Sequence, residues 1–150
     1  MAATATPAAT PQSSTPGPGE SVAASADASS GPVGYEAWVE RQGFGGSSGL
    51  RQAINDAQFI KANAYTVTAF DVDDGARRID LLAAWLDEHP PTACWADYHA
   101  AMRSALGRAH DGYVSAREAR TAGTSIPTDV AAALVDEIQA AYDMAAPTGC

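Results

Sequence analysis

From Leu50 onward, apolar residues recur every three or four positions, and no stretch of useful length alternates apolar with polar. Leu50, Ile54, Ala57, Ile60, Ala64, Val67 and Phe70 share one face of an amphipathic helix. Spacing of this kind excludes half-buried strands, whose side chains alternate with a period of two. Ile79, Leu82, Trp85 and Leu86 begin a second helix, which His89-Pro90-Pro91 stops because proline lacks the N–H a helix interior needs. Thr92 is a candidate cap for a third helix with Trp95, Tyr98, Met102 and Leu106 on one side. A short helix is expected from about Ser115. "GTSIPTD" closes it, and Thr128 or Ser125 caps a last helix carrying Val130, Leu134, Ile138 and Tyr142. The fold class read from this pattern is all-α.

The first third of the chain differs. Residues 1–34 are mostly Ala, Pro, Ser, Thr and Gly, and up to Pro32 only Met1 and Val22 are large apolar side chains. Such a segment buries too little surface to offset its ordering entropy, so a disordered tail is expected. Residues 35–49 read as a short helix, "YEAWVERQ", followed by a flexible linker, "GFGGSSG", which fits neither the dinucleotide glycine pattern nor the P-loop. Residues 50–150 are the helical domain.

Net charge is −9, from 18 acidic and 9 basic residues. That balance argues against nucleic acid or an anionic membrane as partner, since both are met with Lys and Arg. No run approaches the ~20 apolar residues of a membrane span, and the N-terminus shows no basic, apolar-cored leader, so a cytoplasmic protein is expected. The two cysteines, Cys94 and Cys150, have no zinc-site spacing. Cys94 lies in a helical pattern and reads as a small buried hydrophobe, with a Cys94–Cys150 disulfide left open. Neither a nucleophile elbow nor a His paired with a nucleophile is visible, so no catalytic residue is nominated and an enzyme is the least favoured class.

Two acidic stretches between helices carry the remaining signal. "AFDVDDGARRIDLLAAWL" (69–86) and "SALGRAHDGYVSAREAR" (104–120) each join carboxylates, a glycine and a lone apolar residue, and "EIQAAYDMAAPTGC" (137–150) looks like a further entering helix. The order helix, acidic loop, helix, connection, helix, Asp-Gly loop, helix resembles a pair of EF-hands, and is similar to the calerythrin-like and sarcoplasmic calcium-binding proteins. Calcium takes six to eight oxygens from a twelve-residue loop that ends in a bidentate Glu. The resemblance implies a loop at Gly107–Glu118 with calcium ligands Asp111, Ser115, Glu118 and the Tyr113 carbonyl, turned by Gly112. It also implies a weaker loop starting at Asp71, Asp73, Asp74 and Gly75.

Both loops depart from the pattern. Gly107 and Ala109 stand where carboxylates belong, and Ala83 stands at the place of the bidentate Glu in the first loop. The implied fold is a degenerate EF-hand pair with Ile79 packed near Val114, and the implied affinity is at the weak end, ~10⁻⁴–10⁻³ M. The same residues admit a plainer reading in which Ser115 caps a helix and Glu118 completes a capping box. Two functions follow: a weak or vestigial calcium binder that contacts an unidentified protein partner, or a metal-independent helical adaptor.

Overall fold

The computed structural model describes residues 49–149; the expected tail, the helix at 35–42 and most of the linker lie outside them. Four helices account for most of the described chain, and no strand occurs among these residues: α1 (Leu50–Ala62), α2 (Ala69–Glu88), α3 (Ala96–Thr121), entered through a 3-10 turn at Ala93–Trp95, and α4 (Thr128–Tyr142). Each helix packs on the next, and α4 returns to pack on α1.

Cross-helix bonds fix the directions. Arg51 at the start of α1 donates to the Tyr142 hydroxyl at the end of α4, 2.9 Å, so these two run antiparallel. At the other end of α1, the Ile126 N–H before α4 donates to the Ala64 carbonyl after α1, 3.0 Å. That bond ties two connections together. The core between the helices is aliphatic and aromatic, with Val72, Ile79, Leu86, Trp95, Met102, Leu106, Tyr113, Leu134 and Ile138 essentially solvent-free. Ile79, Leu86, Trp95, Met102, Leu106, Leu134 and Ile138 keep the faces expected from the spacing; Val72 and Tyr113, expected in loops, join them from helix interiors. Burying side chains of this size contributes roughly 1.5–3 kcal/mol each.

The helix boundaries follow local chemistry. Asn63 ends α1, its side chain donating to the Phe59 carbonyl. Thr68 starts α2 with a reciprocal cap. Its hydroxyl accepts from the Asp71 N–H (3.2 Å), and the Asp71 carboxylate accepts from the Thr68 N–H (2.9 Å). His89 and Pro90 end α2, as expected. A Schellman arrangement ends α3: Gly123 takes a φ of 74°, its N–H donates to the Arg120 carbonyl, and the Thr124 N–H reaches the Ala119 carbonyl.

Several expectations are corrected here. The first break falls at residues 63–68, and "DVDDGARR" is helix, because the Thr68 cap starts α2 ahead of it. Phe70 is therefore exposed rather than core-facing. Residues 107–118, expected as a loop followed by a new helix at Ser115, lie inside the uninterrupted α3. Ser115 is no cap; its hydroxyl donates to the Asp111 carbonyl one turn back, 3.1 Å. Cys94 is exposed and disulfide-bonded rather than a buried thiol; the one other cysteine of the sequence, Cys150, lies outside the described residues.

The two glycines behind the loop expectation have another use. A Cβ on Gly75 would sit 2.5 Å from Cε1 of Tyr113, and one on Gly112 would sit 2.9 Å from Cδ2 of Leu134. Glycine costs a helix interior about 1 kcal/mol relative to alanine. Here it lets α3 approach α2 at one point and α4 at the other.

Candidate functional site

The residues nominated as calcium ligands are not brought together. In continuous α3, Asp111, Ser115 and Glu118 fall one and two turns apart on one exposed face, while Tyr113 points the opposite way into the core. The Tyr113 carbonyl lies within the helix, where it serves the backbone ladder. Val114 is 43% exposed and Ile79 fully buried, each on an uninterrupted helix rather than in a loop. Asp71, Asp73 and Asp74 occupy the first turns of α2 and have separate partners. Asp71 caps through Thr68, Asp74 pairs with Arg77, and Asp73 reaches Arg117 of α3 at 2.7 Å. No group of three or more His, Cys, Asp or Glu side chains is placed to hold a metal among the described residues.

The carboxyls respond to these partners. The Thr68 hydroxyl, and then its N–H, hold Asp71 below its ordinary value; the Arg77 and Arg103 hydrogen bonds do the same for Asp74 and Asp87. Tyr113 moves the other way, because burial raises its phenol and the Asp56 charge adds to the effect. Its hydroxyl has no hydrogen-bond partner among the described residues.

Two surface features remain as candidates. The first runs along the α2–α3 seam. Asp73–Arg117, Asp80–His110 and Asp87–Arg103 bridge the helices at 2.7, 2.8 and 2.8 Å, in steps of seven residues on each helix. The pairing order shows α2 and α3 to be antiparallel. Between the last two rungs lies an open groove of ≈ 420 Å³ with Ala83, Ala84 and Gly107 in its lining. Asp80 with His110 and Asp87 with Arg103 are already paired across the seam along it, so it has the chemistry of a closed helix contact.

The second is the corner where α1 passes into α2. Phe59 is 51% exposed, Tyr65 80% and Phe70 77%. These are the only large aromatic side chains so exposed among the described residues, and they fall within twelve positions of one another. Phe59 and Phe70 face a shared crevice of ≈ 120 Å³, lined otherwise by Asp56, Asp71 and Asp74. The local fold explains the display. Asn63 ends α1 just past Phe59, and the Thr68 cap starts α2 just before Phe70, so both rings are set by helix termini rather than by core packing. Apolar spacing alone puts Phe70 on the core face; the signal that moves it off is "TAFD", a Thr-x-x-Asp cap.

No protein-family model matches this chain, nor does any curated protein or solved structure. Fold and site define an all-helical domain with an aromatic corner. No helix among the described residues is long and apolar enough to cross a membrane.

Proposed function

We propose that residues 49–149 form a metal-independent helical adaptor that contacts a protein partner through the α1–α2 corner. The clustering of Phe59, Tyr65 and Phe70 on that corner carries the reading. Aromatic side chains left in water have a cost that binding removes, and they dominate the energetics of protein interfaces. Calcium binding has less support than the adaptor reading, since α3 is helical where the ligands would have to converge.

A photo-crosslinking residue at position 65 tests the adaptor reading, with the exposed position 101 as control. The expected result is one discrete adduct from position 65, unchanged by calcium or chelator and lost with Phe59→Ser plus Phe70→Ser. Equal labelling from both positions overturns the corner as interface. An adduct that requires calcium restores the EF-hand reading.

A further inference from the structure

The crevice between Phe59 and Phe70 is selective in its charge. Two of its three carboxylates are occupied: Asp56 holds Arg78 at 2.6 Å and accepts from Gln52, and Asp74 is bound to Arg77 with Arg78 at 3.8 Å. Asp71 differs. Its Oδ2 takes both Thr68 donors, and among the described residues no donor reaches its Oδ1 and no cation pairs with it. Those Thr68 bonds favour the ionised form and hold the Asp71 carboxyl below its ordinary value. The helix N-terminus beside it carries about half a positive charge, which a full carboxylate more than offsets. The chain as a whole, with 18 acidic and 9 basic residues, adds attraction of the same sign.

A free carboxylate flanked by two phenyl rings suits one kind of side chain. A guanidinium stacks on aromatic faces, donates to a carboxylate through its planar fork, and gives up hydration more readily than an ammonium. The ≈ 120 Å³ crevice has room for such a planar head and not for a folded segment. We propose that the crevice between Phe59 and Phe70 receives an arginine side chain of the partner protein, held by the two rings and Asp71. This rests on the reading of the corner as an interface and adds the chemistry of what it binds.

The test titrates isotope-labelled protein with N-acetyl-arginine amide, followed by NMR, with the uncharged isostere N-acetyl-citrulline amide as control. Saturable shifts confined to Phe59, Phe70, Asp71 and their neighbours are expected with arginine only. Phe70→Ser leaves the core untouched, and Asp71→Asn keeps an oxygen for the Thr68 donors. Each is expected to weaken binding about 3-fold, as for an exposed cation–π contact or ion pair. Equal shifts with citrulline, or no saturable shift at the limit of probe solubility, overturns the proposal. So does a probe-free dimer that Phe70→Ser dissociates, since a second copy would then fill the crevice. If position 65 still crosslinks a partner while arginine amide fails, the adaptor reading stands and the arginine chemistry falls.

Discussion

The α2–α3 seam and the α1–α2 corner are built from similar residue types and have opposite outcomes. Along the seam, glycine removes a side chain so that Tyr113 can fill the space, and each bridging carboxylate faces an arginine or histidine seven residues from the next. At the corner, helix ends hold aromatic rings in water, and Asp71 has no cation among the described residues. A seam that satisfies its own groups is finished as structure. A corner that does not is available for binding. The same acidic stretch, residues 71–74, contributes to both.

The sharpest way to break this contrast is to put a methyl group into the seam. Gly75→Ala places a Cβ against the buried ring of Tyr113 and is expected to destabilise the domain by about 3 kcal/mol, the upper part of the usual range for overpacking. Urea denaturation measures it. Gly112→Ala meets Cδ2 and Cγ of the single side chain Leu134, less closely than at Gly75, and is expected to cost about 1 kcal/mol. Gly107→Ala meets nothing within 4 Å and replaces a poor helix former, so stability is expected to rise by about 0.5–1 kcal/mol. If residue 107 opened a calcium loop, the gain in helix stability would not appear, and the three glycines would lose their order.

Smaller effects sharpen the corner. Thr68→Ala removes the cap of α2 and is expected to cost about 1 kcal/mol. Its pH dependence has a definite sign. Asp71 is held below its ordinary value of 3.8 in the folded state, so its contribution is complete above that pH and is lost as pH falls through the folded value. The wild type is therefore expected to lose stability below about pH 4, and Thr68→Ala to lose less over the same range. Thermal melts from pH 6 to pH 2.5 compare them; parallel curves would remove Asp71 from the account. Phe70→Ser, largely exposed, is expected to change stability by less than about 0.5 kcal/mol.

The helical class and most core faces were legible because periodicity is a local property. Ile79, Leu82, Leu86, Met102, Leu106, Leu134 and Ile138 sit where their spacing puts them. The Asp-Gly stretches were misread for a physical reason. Glycine next to aspartate serves a tight turn and a close helix contact equally well, and the choice between them depends on what lies opposite. For Gly75 that is Tyr113, 38 positions away in sequence. The EF-hand resemblance uses Tyr113 for its carbonyl, whereas in the structure its ring is buried in the core. Of the corner, the cap at Thr68 was readable and went unread; the shared crevice of Phe59 and Phe70 was not readable, since it requires the angle between two helices.

The rungs of the seam have a geometric consequence. A seven-residue repeat on a straight α-helix drifts by about 20° per step, so rungs at either end are displaced in opposite senses from the one in the middle. The middle rung is His110, whose short imidazole tolerates little displacement, while both outer rungs use arginine, whose long stem can swing to follow the drift. Side-chain length thus acts as slack, distributed where the two helices slip out of phase.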